Sequence, residues 1–414
     1  MRIGIFADSY LPTLNGVSVS VETFRKEMEK KGHQYFIFAP EKSPYDTKYE
    51  DPDAKEGGPE HVFRYPSFVT KKQKNYPIAK PWILFHTNEV IHLVKNLNLD
   101  IIHAQHLAVM GNAGRIAGHQ LGIPVVYTYH TLITEYTHHV PIIGGFLKGA
   151  IVFWSRWFCN HCDQIITPSK PMKEILESYG VTKPIEVVPT GIHPEKLLDH
   201  LPEKYIRAKW DIPEGTKILL YVSRIEKEKN IEFLFKAIAL LVKFREQNSG
   251  KIDFHLLMVG GGAELASSLE LVKKMGLNNV ITFTDMIDKE TVNRYFGAAD
   301  IFVFPSITET QGIVVCEAMA AGVPVVAVNR MGPKDIIENN VNGYLTDLNI
   351  GAFVAKINKL LSDDNLCRQM AKKAKSRADS FSSLASANKM EKLYAKTIQQ
   401  FKQTIRDGSK PKSS

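Results

Sequence analysis

IFVFPSITETQGIVVCEAMAAGVPVVAV, Ile301 to Val328, decides how the rest of the chain is read. Its two apolar runs, Ile301–Phe304 and Val325–Val328, show no polar alternation. That is the pattern of strands covered on both faces in a parallel sheet. Between them Pro305 and Gly312 punctuate a polar loop, and a helix is expected to begin near Gly312. Strand, loop, helix and strand make one βαβ crossover. The helix start leaves unpaired N–H groups at the positive end of its dipole, an anion site suited to phosphate or diphosphate.

The same rhythm extends upstream, with strands expected at Ile218–Val222, Leu256–Val259 and Ile281–Thr284. An earlier series runs through Ile3–Ala7, Tyr35–Ala39, Ile101–Ala104, Val125–Tyr129, Ile165–Thr167 and Ile185–Val188. Two successive series predict an α/β fold of two Rossmann-like, doubly wound parallel-sheet domains. The turn-rich segment Pro189–Gly215 carries the boundary, giving domains over residues 1–195 and 196–383. Residues 384–414 are read as a helix, Leu384–Phe401, followed by the polar tail GSKPKSS.

With 414 residues, 44% hydrophobic and 23% charged, the chain has the composition of a soluble globular protein of two domains. Its formal net charge of +8 suits an anionic partner. Four cysteines in such a length make no disulfide framework, and a reducing cytosol fits. The opening MRIGIFADSY lacks the features of a signal peptide, and no run of about 18 apolar residues is present. The expectation is a cytoplasmic protein that meets a membrane, if at all, at its surface.

In the second half, Glu309 lies in the loop after the strand and Glu317 about a turn and a half into the helix, among apolar neighbours. One carboxylate suits a sugar, the other the vicinal hydroxyls of a ribose. Read alone, Glu309 is equally a helix cap and Glu317 a solvated face. Arg224 and Lys229 follow the strand that ends LLYVS. Cations at the C-terminal edge of a parallel strand can neutralise a diphosphate, although a bare RIEKEK is more often a solvated charge run. Gly260–Gly262 permit close backbone approach, a weak signal by itself.

In the first half, Asn15 and Gly16 make a turn before a helix starting near Val17. The loop is not GxGxxG, so it is no dinucleotide fingerprint. His130 ends an apolar strand, with Tyr129, Thr131, Glu135, Tyr136, His138 and His139 around it. Cys159 and Cys162 add thiolates, yet without a second CxxC or a spaced histidine pair zinc is the lesser reading. The stretch His61–Trp82 carries Arg64, Lys71, Lys72, Lys74 and Lys80 interleaved with aromatics, ending on Trp82, and no acid. Such a surface suits anionic lipid headgroups or single-stranded nucleic acid, or is a plain basic loop. Val140–Phe158 is a second apolar stretch with aromatic and cationic residues near one end, either a buried helix or part of a channel for acyl chains.

These features occur in one order: the Asn-Gly turn, a histidine after a mid-domain strand, Arg224 and Lys229, the Gly-rich turn, then Glu309 and Glu317. That order resembles the retaining glycosyltransferases of the two-Rossmann GT-B type, glycosyltransferase family four, over nearly the whole chain. The resemblance implies two domains facing a cleft, with the C-terminal helix packed back on the first. It implies that Glu309 contacts a donor hexose, that Glu317 holds the ribose, and that Arg224 and Lys229 stabilise the departing nucleoside diphosphate. Gln311, Gly312 and Ile313 would touch the donor, Gly16 its phosphates, and His130 the reacting sugar. No metal or other cofactor is then obligatory, and Mg2+ is expected at most to stimulate.

More narrowly, TETQG and YHTxxxEYxHH are similar to the diacylglycerol glucosyltransferases of glycolipid synthesis. This implies UDP-glucose as donor, diacylglycerol as acceptor, and an anionic membrane surface met through Arg64, Lys71, Lys72, Lys74 and Trp82. Asn15 departs from the pattern, where many relatives carry a second glycine. Competing readings are the same fold acting on phosphatidylinositol or a soluble sugar, a nucleotide-sugar epimerase, and a nucleic-acid-binding protein that would leave Glu309 and Glu317 without a role.

Overall fold

The structure is a computed structural model that describes residues 1–13, 15–41, 61–70, 73–84, 87–132, 144–197, 201–249 and 253–408, without the side chains at 70, 73–76, 82, 144–147, 249 and 289. The chain divides into two compact units, Met1–Gly191 with Ser383–Ser414, and Ile192–Ser382.

Among the described residues the first unit holds nine strands: β1 Arg2–Phe6, β2 Gln34–Pro40, β3 Val62–Tyr65, β4 Ser67–Thr70, β5 Gln73–Ala79, β6 Ile101–Ala104, β7 Val125–Thr128, β8 Gln164–Thr167 and β9 Ile185–Val187. Seven form a sheet in the order β3-β2-β1-β6-β7-β8-β9. Every pairing in it is parallel. The central strands are buried along their length, as a sheet covered on both faces requires. The last long helix, Ser383–Arg406, returns to this unit. Its Ala387, Met390, Leu393 and Tyr394 join the core of Ile3, Ile5, Val21, Met28 and Tyr35.

The second unit has β10 Lys217–Val222, β11 Phe254–Val259, β12 Ile281–Phe283, β13 Ile301–Phe304, β14 Val325–Val328 and β15 Gly343–Thr346. They pair in the order β12-β11-β10-β13-β14-β15, again all parallel. One apolar cluster, from Leu219 through Phe302 to Phe381, fills this unit. Ile192 N–H donates to the carbonyl of Phe381 at 2.8 Å, which ties the start of the unit to its end.

The fold is therefore α/β with two doubly wound parallel sheets. Four strands went unread in the sequence. Val62–Ala79, read as a basic stretch, contains edge strand β3 and the antiparallel hairpin β4–β5. Gly343–Thr346 supplies the sixth strand of the second sheet. Both sheets share one consequence. The strand order reverses beside β1 and β6 in the first and beside β10 and β13 in the second. The loops leaving these strands open the crevice in which doubly wound sheets bind ligands.

Candidate active site

In the second unit, two loops leave the sheet at its reversal. The loop after β10 carries Arg224 and ends in a short 3-10 turn, Lys227–Lys229. Asn230, left-handed at φ +57°, stops that turn and donates through Nδ2 to the carbonyl of Pro305, just past β13, at 3.1 Å. Thr308 Oγ1 donates to the carbonyl of Glu228 at 3.3 Å. These bonds lace the two loops together. The ammonium of Lys229 consequently meets the Glu309 carboxylate in an ion pair, with side chains only 13% and 21% exposed. Two residues 80 positions apart are thus joined at the switch point.

Arg224 behaves differently. Its guanidinium is 62% exposed and faces Glu226 and Glu228 of its own loop at 3.6 and 3.4 Å. Its ion pairs are with these two residues and not with the Lys229–Glu309 pair. Such exposed, loosely spaced pairs contribute little and exchange readily.

Behind these loops lies the Gly-rich turn after β11. A Cβ on Gly260 would stand 2.1 Å from the Ser223 carbonyl oxygen, and one on Gly262 would stand 2.3 Å from that of Ile225. Both have positive φ, at +135° and +159°. The Ile225 N–H donates to the Gly261 carbonyl at 2.9 Å, and the Glu264 N–H donates to that of Ile225 at 3.0 Å. The glycines therefore let one turn bond directly to the loop that presents Arg224 and Lys229. This packing gives the weak sequence signal a physical reason.

Gln311 is buried, and Gly312 takes the left-handed region at φ +82° to start the helix Ile313–Ala320. Gly312 at the N-cap has no side chain to cap this helix, which leaves its start with the anion-binding capacity of a helix N-terminus. Glu309 is not its cap. Its own backbone carbonyl instead accepts from Gly332 N–H at 2.8 Å, fixing the loop. Glu317 is 8% exposed, between Cys316 and Ala318 of the core, which removes the reading as a solvated face.

In the first unit the reversal gathers a second polar group. Asp8 follows β1, Gln105 and His106 follow β6, and His130 follows β7. Nε2 of His130 lies 2.7 Å from Oε1 of Gln105. Burial, with His106 and His103 adding to it, lowers the His130 pKa well below the usual imidazole range, so the ring is neutral. The Asp8 N–H donates to Nδ1 of His106 at 3.0 Å, while its carboxylate accepts from Met110 N–H at 3.0 Å. Burial raises the Asp8 carboxyl above its ordinary value, opposed by His106. His103 is enclosed: Nδ1 meets Tyr394 Oη and Nε2 meets Thr128 Oγ1, both at 2.6 Å. Sequence reasoning passed over Asp8, Gln105 and His106. Their signal was the shared position just beyond strand ends.

Gly16 opens the helix Gly16–Lys30, whose cap is Asn15. Oδ1 of Asn15 accepts from the N–H groups of Val17 and Ser18 at 2.9 and 3.0 Å. Asn15 thereby satisfies two of the helix's first N–H groups inside the protein, and the N–H of Gly16 is not one of these two. Asn15 thus replaces backbone freedom with a capping box.

The lipid-facing expectation is met unevenly. Arg64 leaves that set, because its guanidinium donates to the carbonyls of Pro40 and Leu11 at 2.9 and 2.6 Å and covers the Tyr10 ring. Lys71 and Lys72 lie outside the described residues, as do Glu135, Tyr136, His138 and His139. Lys74 and Trp82 lie in described backbone, but their side chains are not described. On the hairpin, Phe68 and Ile78 face each other across the strands and are both exposed. The helix Gly144–Asn160 exposes Phe153 and Trp154, flanked by exposed Lys148 and Arg156. Cys159 and Cys162 at its end are buried, and burial pushes both thiols up. Among the described residues, no group of three or more His, Cys, Asp or Glu is arranged to hold a metal, and no helix is long and apolar enough to cross a membrane.

Two doubly wound units, with an ion pair and an uncapped helix start at one switch point and histidines at the other, define a GT-B glycosyltransferase. Residues 14–196 match the family model described as Glycosyltransferase Family 4, and residues 203–377 match that of Glycosyl transferases group 1. The chain belongs to glycosyltransferase family four and is an enzyme of that class. It is 32% identical over 354 residues to an alpha-monoglucosyldiacylglycerol synthase of Streptococcus pneumoniae, covering 83% of this chain and 75% of that one. It is also 27% identical over 349 residues to a GDP-mannose-dependent alpha-mannosyltransferase of Mycolicibacterium smegmatis, covering 84% and 85%. Among solved structures, the Anabaena HepE protein in complex with UDP superposes with a TM-score of 0.75 at 18% identity, over 96% of this chain and all of that one. Sucrose-phosphate synthase from Thermosynechococcus elongatus gives 0.72 at 21%, over 97% and 100%.

Proposed function

We propose that this enzyme transfers glucose from UDP-glucose to the 3-hydroxyl of 1,2-diacylglycerol with retention at the anomeric carbon. The observation that carries the reading is the Lys229–Glu309 pair at the β10/β13 reversal, a cation for diphosphate beside a carboxylate for sugar hydroxyls. Glucose and diacylglycerol are suggested by the Streptococcus pneumoniae alpha-monoglucosyldiacylglycerol synthase, the relative at 32% identity.

In this mechanism the bond from the hexose C1 to the UDP phosphate oxygen breaks as a bond to the acceptor oxygen forms on the same face. The acceptor's proton passes to the departing phosphate. Lys229 and Arg224 neutralise charge growing on that phosphate, which is the protein's main contribution. The N–H groups at Gly312 and Ile313 add to it. Gln311 lines the same loop. Glu309 accepts from hexose hydroxyls, Glu317 from the ribose, and neutral His130 attends the reacting sugar. Gly16, the first residue of its helix, is the backbone that approaches the donor phosphates in this scheme. Nothing in this scheme requires a metal, and Mg2+ would at most stimulate it by adding positive charge.

Membrane contact through the first unit is supported by exposed Phe68, Ile78, Phe153 and Trp154 beside Lys148 and Arg156. Such a surface suits an anionic cytoplasmic leaflet.

The reading is tested with radiolabelled UDP-glucose and diacylglycerol in vesicles containing phosphatidylglycerol, followed by thin-layer separation. A labelled lipid that mild alkali converts to a water-soluble glucoside supports it. Label entering lipid only from GDP-mannose overturns the donor, as the mannosyltransferase relatives would suggest. UDP binding without any lipid product overturns the acceptor.

A further inference from the structure

Arg64 belongs to the basic stretch that reads in the sequence as a lipid-facing surface, and the fold turns it inward. Edge strand β3 pairs Arg64 with Ala39 of β2, one register step beyond Phe38, where the pairing of β1 with β2 ends. The residue therefore stands at the C-terminal edge of the sheet, beside the chain that leaves β1. Its guanidinium forks there. Nη1 donates to the carbonyl of Pro40, the last residue of β2, at 2.9 Å. Nη2 donates to the carbonyl of Leu11, 53 positions away, at 2.6 Å. The same group covers the Tyr10 ring, 5.5 Å from its centroid.

Between β1 and the helix Gly16–Lys30, residues Ser9, Tyr10, Leu11 and Thr13 are all buried. Backbone carbonyls withdrawn from water require donors. The Thr13 N–H donates to the Tyr10 carbonyl at 3.1 Å, which closes a turn. Leu11 lies inside that turn, and its carbonyl is the one that Arg64 takes. Tyr10 Oη donates to the carboxylate of Glu22, on the helix that Gly16 opens. Arg64 thus touches the turn twice, at a carbonyl and at a ring whose hydroxyl is tied to that helix.

We propose that Arg64 is a positioning residue: it props the Tyr10–Thr13 turn so that the backbone at Gly16 presents its N–H to the diphosphate of the donor. The proposal rests on the glycosyl-transfer reading and deepens it. Arg64 acts through Leu11 and Tyr10 and does not touch substrate. The cap formed by Asn15 engages the N–H groups of Val17 and Ser18 and leaves that of Gly16 out. The place of the Gly16 N–H is then set from both sides, by this cap and by the propped turn before it.

The shape of the guanidinium governs the test. Its planar fork holds two N–H groups apart at a fixed angle and so reaches two carbonyls at once. The ammonium of a lysine is a compact point donor on a flexible stem. Arg64→Lys therefore keeps the positive charge while one of the two carbonyls loses its partner. Tyr10→Phe is the complementary change, keeping the ring beneath Arg64 and removing its tie to Glu22.

The experiment measures inhibition constants of UDP and of uridine against UDP-glucose for the full-length wild type, Arg64→Lys and Tyr10→Phe. Uridine shares base and ribose with UDP, so the ratio of the two constants isolates the diphosphate and does not depend on how much enzyme is folded. Arg64→Lys is expected to weaken UDP by about 3–10-fold and to leave uridine within about twofold. KM for UDP-glucose should rise by a similar factor, with KM for diacylglycerol unchanged. Tyr10→Phe should show the same pattern at about 2–5-fold. A UDP-to-uridine ratio equal to that of wild type in both variants overturns the proposal. Should GDP-mannose prove to be the donor, GDP and guanosine take the places of UDP and uridine. Amide hydrogen exchange reads the turn directly and without substrate. The peptide spanning residues 9–17 should exchange about tenfold faster in Arg64→Lys. Unchanged exchange there overturns the proposal whatever the enzyme transfers. Faster exchange in a protein whose wild type binds no nucleoside diphosphate overturns the glycosyl-transfer reading and leaves the prop standing.

Discussion

Replacing Glu309 with Gln separates two effects that share one side chain. The Glu309 carboxylate holds the Lys229 ammonium in a pair largely withdrawn from water. In the proposed mechanism a diphosphate must take Lys229 away from that partner and also approach a negative carboxylate. A charge-assisted hydrogen bond in such a setting is worth about 1.5–3 kcal/mol, and partial exposure reduces this to about 1–2 kcal/mol. Releasing Lys229 should therefore tighten UDP binding by about 5–30-fold. Turnover should move the opposite way, because the hexose loses an ionised acceptor, at a cost of about 1.5–3 kcal/mol or about 10–150-fold in kcat/KM. Isothermal calorimetry with UDP at fixed ionic strength reads the first effect, and initial rates read the second. Lys229→Met supplies the control, with weaker UDP binding. Unchanged or weaker UDP binding in Glu309→Gln would refute the idea that the pair holds back the cation.

Gly262→Ala forces a Cβ to within 2.3 Å of the Ile225 carbonyl oxygen at a φ that alanine avoids. The expected cost is about 2–4 kcal/mol to the second unit, measured as a fall in its denaturant midpoint, and a cost under about 1 kcal/mol would mean that the two loops are not packed as described. Burial depresses the His103 pKa to about 3, from an ordinary 6.5. Below about pH 6.5 the unfolded chain binds a proton that the folded first unit refuses. Stability should then fall by about 1.4 kcal/mol per pH unit toward pH 3 from this group alone. Urea unfolding between about pH 6.5 and 4 should be flatter in His103→Gln, and an unaltered slope would assign the acid sensitivity elsewhere.

Both sheets were legible because their strands are apolar on both faces, so Ile301–Phe304 or Val125–Thr128 declare themselves without knowledge of their neighbours. Val62–Tyr65 escaped because an edge strand is only partly covered and keeps charged residues such as Arg64. Gly343–Thr346 was hidden by its glycine and its threonine, which leave only two apolar residues in a row. Lys229, Glu309 and Glu317 stood out because charge beside an apolar run is conspicuous. Their pairing was not readable, since it depends on Asn230 and Thr308 tying loops 75 and 80 positions apart. Gln105 gave no signal, because a glutamine past a strand is ordinary until the ring it faces is known.

The helix Ser383–Arg406 has a consequence for synthesis. The second unit, Ile192–Ser382, is translated whole before the strip that completes the first unit has left the ribosome. Tyr35 and Met28 remain uncovered until Met390 and Tyr394 arrive. The usual amino-first order of domain folding is thereby reversed in its final step. The downstream domain can close on its own contacts, while the upstream sheet waits with an apolar face open. That face is the natural client surface for a chaperone during the interval, and a ribosome stalled before residue 383 would leave it exposed for as long as the stall lasts.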